Sequence, residues 1–135
     1  MQYKENRFYT EKEAKRTERG WAGHFICSDE CMFRLNTLLE YDDVKIVIST
    51  IGNMWTGDEH PKEIGYNRYY ETMAFYGVEI QGYIEADVTR QINFESKWEI
   101  SESFKDNEAN EMHEDVVQEL MRKIKNPKFL KNANN

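Results

Sequence analysis

From Phe33 to Ile51 the chain reads FRLNTLLEYDDVKIVISTI, and this stretch constrains the fold more than any other. Phe33, Leu35, Thr37, Leu39 and Tyr41 alternate with Arg34, Asn36, Leu38 and Glu40, and β-branched residues crowd the half from Val44 to Ile51. A period of two is the signature of a strand, and Asp42-Asp43 supplies a tight turn between two of them. A two-residue turn there opposes Tyr41 to Val44, Leu39 to Ile46, Thr37 to Ile48 and Leu35 to Thr50 on one face. Leu38 then meets Val47, Asn36 meets Ser49 and Arg34 meets Ile51 on the other. Slipping by one residue would exchange the two faces.

The flanking segments extend the pattern. A loop is expected from Gly52 to Gly65 (GNMWTGDEHPKEIG), a third main strand from Tyr66 to Tyr76, a connection GVEIQG, and further strands over Tyr83–Ile92 and Ser96–Ser101, where Trp98 and Ile100 share a face. His24–Cys27 could add a short strand ahead of the hairpin. Ala109, Met112, Val116, Leu120 and Ile124 recur every three or four residues, so a helix is expected over 106–124, with Ser103 and Asp106 at capping distance and Pro127 as its stop. Thr10 and Glu13 have the spacing of a capping box and predict a second, short helix from Glu11 to Arg19, closed by Gly20. Strands joined by turns, without strand–helix alternation, select an α+β fold: an antiparallel sheet of five or six strands, a C-terminal helix on one face and a short N-terminal helix.

At 135 residues, with 39% apolar and 32% charged residues, the chain suits one domain with its own core. Residues 1–20 read as a charged lead-in and 126–135 as a frayed tail. The net charge of −7 argues against sequence-blind attraction to nucleic acid. Neither a membrane span nor a secretion signal is visible, which leads to the expectation of a cytoplasmic protein. Motifs for phosphate loops, GxSxG hydrolases and HExxH metalloproteases are absent, and no cofactor is expected.

Three constellations could still carry chemistry. His24, Cys27 and Cys31 have ligand chemistry for zinc, although the spacing fits no common knuckle, and reduced structural thiols are the alternative. Arg34, Asn36, Glu71, Asp87 and Arg90, with His113, could line a polar cleft for acid–base work if they converge; the alternative is a sheet with one wet face carrying cross-strand ion pairs. His113 itself lies at the margin of the apolar helical stripe, where a histidine commonly hydrogen-bonds across a helix–sheet seam.

Aromatic residues are concentrated around the third and fourth strands. Trp55, Tyr69 and Tyr70, with Glu71 and the 52–65 loop, are the residues expected to form an exposed recognition patch. The segments RGWAGHFI (19–26), FRLNTLLEY (33–41), STIGNM (49–54), RYYETMAF (68–75), EADVTRQINF (85–94) and NEANEMHE (107–114) together resemble small proteins of phages and other mobile elements that have no assigned activity. That resemblance implies a setting and no catalytic residue. The expectation is a small acidic binding protein acting on a host protein, for example as an inhibitor of host defence. A small enzyme or ligand-binding domain and a zinc-stabilised module are the alternatives, and self-association is left open.

Overall fold

The hairpin forms in the register that the alternation dictates. The computed structural model describes residues 13–20, 30–57, 59–92 and 98–126. In it β2 (Cys31–Tyr41) and β3 (Val44–Met54) pair antiparallel, with Tyr41 opposite Val44, Leu39 opposite Ile46, Asn36 opposite Ser49 and Arg34 opposite Ile51. Asp42 takes a left-handed turn conformation at φ 52°, which a short polar side chain tolerates.

On the far side of β3 lies β4 (Tyr70–Ile80), with Ile46 opposite Tyr76 and Thr50 opposite Thr72, and β5 (Tyr83–Ile92) follows β4. GVEIQG is therefore no loose connection: the strand continues to Ile80 and turns at Gln81-Gly82. Gly77 marks a close approach and not a break, because a Cβ there would stand 2.8 Å from the Ile84 side chain. β5 loses its simple alternation at a bulge. Phe75 faces Gln91 and Gly77 faces Ala86, so Tyr76 alone spans the stretch that Asp87 to Arg90 occupies opposite.

The segment expected as an N-terminal helix contains β1 (Lys15–Glu18), paired with β2 from Lys15 opposite Glu40 to Glu18 opposite Thr37. Residues 11 and 12 lie outside the described residues. Ala14 is the only apolar residue of the expected helix, so helical winding had no stripe to bury, whereas a strand satisfies its backbone on the edge of β2 and places Ala14 in the core. The strand expected over Ser96–Ser101 is β6 (Glu99–Ile100), beside Tyr70 and Glu71 of β4; residues 93–97 lie outside the described residues. The sheet order is β1-β2-β3-β4-β5, with β6 also on β4.

Helix α1 (Asp106–Lys123) packs its apolar stripe on one face of this sheet. Val116, Val117, Leu120 and Ile124 meet Leu39, Val44, Ile46, Ile48, Ala74 and Ile92. Each such side chain contributes roughly 1.5–3 kcal/mol by leaving water, so this contact supplies the main apolar driving force. The expected Ser103–Asp106 cap is replaced: the N-cap is Lys105, without a side-chain cap bond. Instead the Tyr70 hydroxyl accepts from the Lys105 backbone N–H at 2.9 Å and donates to the Asp106 carboxylate at 2.5 Å. A strand residue thus anchors the start of the helix.

The opposite face is not wet. Leu38, Val47, Ile51 and Phe75 are buried there, and so are the polar Asn36, Ser49 and Glu71. From Ile46 to Asn53 every residue of β3 is buried, which makes β3 a central strand covered on both sides. Among the described residues no helix is long and apolar enough to cross a membrane.

Candidate functional site

The acid–base candidates fall into three places. Arg34, Asn36 and Glu71 share the face opposite α1, since Arg34 opposes Ile51, Ile51 opposes Glu71 and Asn36 opposes Ser49. Arg34 and Glu71 are two strand spacings apart, about 10 Å. Asn36 and Glu71 are each held by an arginine outside the expected set: Arg19 Nε donates to Asn36 Oδ1 at 2.9 Å, and Arg68 lies 3.3 Å from Glu71 Oε1. Asp87 and Arg90 stand in the β5 bulge, where the Asp87 carboxylate accepts from the Thr89 backbone and hydroxyl and Arg90 stacks over Tyr76 at 4.7 Å. His113 is on the other side of the sheet, beneath α1. The six residues do not meet in one cleft because strand alternation sends Arg34, Asn36 and Glu71 away from the helix that carries His113.

His113 closes a buried hydrogen-bond chain. Its Nε2 lies 2.8 Å from Thr37 Oγ1 and its Nδ1 2.7 Å from Thr50 Oγ1; Thr50 in turn meets Thr72 at 2.5 Å, and Thr37 donates to Glu18 at 2.7 Å. The directions follow from one end. An ionised carboxylate only accepts, so the Thr37 proton points to Glu18 and Thr37 Oγ1 must accept from a protonated Nε2. Burial favours the neutral ring, in which Nδ1 is bare and accepts from Thr50, whose oxygen accepts from Thr72. This is a neutral ring with both nitrogens used. Burial pushes the His113 pKa down to about 4 from 6.5, against the pull of Glu18 and Glu114. At Glu18 burial works upward, yet the hydrogen bonds from Arg16 and Thr37 leave its carboxyl below its ordinary range. Arg16 also bonds Glu114 in a bidentate pair at 2.7 and 2.9 Å, which with Gln118 holds Glu114 down to about 2. His113 is 3% exposed, so the chain seats α1 on the sheet and presents no nucleophile to solvent.

The expected recognition patch is rearranged. Tyr70 is fully buried and Glu71 is 4% exposed, because both lie at the start of β4, where it is flanked by β3 and β6. Tyr69 and Trp55 are half-buried. Trp55 packs edge-to-face against Phe104, centroids 6.4 Å apart, and Phe104 is 64% exposed. Phe104 also has a left-handed backbone at φ 59°, which is unfavourable for a bulky residue by about 1–2 kcal/mol. Sequence reading did not single out Phe104. A large aromatic residue directly before an acidic helix start was the available signal.

A shallow depression adjoins this residue, and a second one shares Glu108 with it. One, about 290 Å³, runs from Phe104 to Glu108 at the start of α1. The other, about 340 Å³, lies between α1 and β6, with Trp98, Ile100, Met112 and Val116 as its apolar part and Glu108, Glu111, Asp115 and Glu119 as its acidic part. Both border α1 and meet at Glu108. Trp98 and Ile100 reach it together, as their shared strand face requires.

Among the described residues no three His, Cys, Asp or Glu side chains are grouped to hold a metal ion. Cys31 is buried; His24 and Cys27 lie outside the described residues. The chain matches no family model, no curated protein and no solved structure.

Proposed function

We propose that this chain is a small acidic binding protein that acts by surface recognition, with Phe104, Trp55 and the two depressions bordering α1 as its contact surface. The observation that carries the reading is Phe104, a large aromatic side chain held outward on an unfavourable backbone, supported on one edge by Trp55. Aromatic side chains of this kind are enriched at the centres of protein interfaces, and a backbone conformation that opposes folding persists where something else selects it. The buried polar groups have structural work: Tyr70 anchors α1, and His113 seats it. The resemblance to phage and mobile-element proteins makes a host protein, including a defence component, the partner to seek, in the cytoplasm where such partners reside.

The test compares the wild-type chain with Phe104→Ser and Trp55→Ser as immobilised baits in a bacterial lysate, with circular dichroism to establish that all three are folded. A specific partner that the wild type retains and both folded variants lose supports the reading. A wild type that retains nothing beyond a control protein of equal charge, or variants that keep the same partner, refutes it.

A further inference from the structure

The carboxylates of α1 fall into two rows that differ in how they are compensated. Glu114 is four residues from Gln118, receives its hydrogen bond and faces Arg16 across the seam. Glu111, Asp115 and Glu119, each four residues apart, form a like-charge row that disfavours the helix. The helix dipole accounts for Asp106 and Glu108 in the first turn and fades beyond it, so it does not favour the other three. Among the described residues only Glu119 of this row has a cation, Lys123 at 3.2 Å. The row also borders the apolar strip of Trp98, Ile100, Met112 and Val116, which makes the depression an apolar seat with acid along one edge.

We infer that this groove takes a cationic peptide segment of the partner, with Lys or Arg side chains against Glu108, Glu111 and Asp115 and an apolar side chain against Met112, Ile100 and Trp98. The inference rests on the recognition reading and adds the chemistry of the partner. Charge complementarity chooses the occupant: an acidic or neutral segment would leave the row unpaired or bring like charges together, whereas a cation relieves the repulsion within α1. The apolar floor adds a second requirement, since Met112 and Ile100 can cover an apolar side chain but offer a charged group no partner. Neutralising two rim charges is expected to weaken such a complex about tenfold, mostly through slower association and salt sensitivity.

The test uses fluorescence anisotropy of the full chain with three labelled peptides of equal length. One is built from Lys, Arg and Leu, a second has Ser for Leu, and a third has Glu for Lys and Arg. The variants are Glu111→Gln with Asp115→Asn, and, as a control of equal charge change on the β4–β5 hairpin, Glu79→Gln with Glu85→Gln. The Lys-Arg-Leu peptide should bind the wild type and the hairpin control alike, the groove variant about tenfold more weakly, and the Ser peptide should bind poorly. Equal binding of the Ser peptide, equal weakening by both variants, or no binding of the Lys-Arg-Leu peptide overturns the inference. If the Glu peptide binds instead and Phe104→Ser weakens it, the cationic assignment falls while surface recognition stands; if partner capture in lysate also fails, both fall.

Discussion

Acidification should unseat α1 through His113, and the size of the effect can be worked out. The folded protein holds the ring neutral, with a pKa of about 4 against 6.5 for an unperturbed histidine. Between those values the unfolded chain binds the proton and the folded chain does not, so stability is complete above pH 6.5 and falls as the pH drops toward 4. For a single group with these two constants the loss between pH 7.5 and pH 5 is about 2 kcal/mol, and at pH 4 about 3 kcal/mol. Glu18 and Glu114, the carboxylates near the ring, are also stabilising when ionised, but their contribution is lost below the ordinary glutamate value of 4.5. The interval from pH 7.5 to 5 therefore isolates the histidine. Urea unfolding of the wild type and of His113→Gln across that interval measures the effect. At pH 7.5 the variant should be less stable by about 2 kcal/mol, for the loss of paired bonds to Thr37 and Thr50, and near pH 5 the two proteins should converge. Parallel stability curves, or an NMR titration of the His113 ring with its midpoint near 6.5, would refute the assignment of a buried neutral ring.

Four substitutions probe other parts of the same structure by denaturant unfolding. Leu120→Ala, at a fully buried position facing the sheet, should lower stability by about 3 kcal/mol, and a loss below 1 kcal/mol would show that α1 is not docked there. Tyr70→Phe removes the hydroxyl that serves both Lys105 N–H and Asp106, and should lower stability by about 1–2 kcal/mol; no change would mean that the helix start is capped otherwise. Ser49→Ala should be neutral or raise stability by up to about 1 kcal/mol, because the buried Ser49 hydroxyl has no hydrogen-bond partner among the described residues; a loss above 1 kcal/mol would reveal a bond. Arg16→Ala should cost no more than about 1 kcal/mol despite its two carboxylate partners, since those are half-exposed and screened; a larger loss at high salt would contradict this.

The β2–β3 register was legible because turn and pattern agree: only one pairing places Leu39 with Ile46 and Leu38 with Val47 around Asp42-Asp43. The helix was legible for the same kind of reason, five apolar residues at one period. The N-terminal strand was not, because Thr10–Glu13 spacing is a local signal and the edge that claims Lys15–Glu18 belongs to a strand some twenty residues later. GVEIQG misled through its glycines. Gly77 is there for the approach of Ile84, which no reading of β4 alone could show. The β5 bulge had no sequence mark beyond Asp87 and Thr89, whose bonds to each other form only once the strand has bent.

Where the candidate site residues fall follows a related logic. Alternation correctly put Arg34, Asn36 and Ser49 on one side, but says nothing about what covers that side, and β3 turned out to be buried on both. Tyr70 and Glu71 looked like surface in a strand assumed to start at Tyr66; with β4 running from Tyr70 and flanked by β3 and β6, they became interior. The three threonines of the chain through His113 come from three different strands at positions 37, 50 and 72, so their meeting is a property of the sheet register. The row Glu111, Asp115 and Glu119 follows from helical spacing alone, four residues apart on the side away from the apolar stripe. What distinguishes it from Glu114 is which carboxylate meets Arg16 of β1 and which borders Trp98 and Ile100, two facts fixed only when both ends of the chain have docked on the central hairpin. Carboxylates on one helix thus divide into a structural seam and a surface on which Glu111 and Asp115 have no cation among the described residues, and it is that surface that a partner can stabilise.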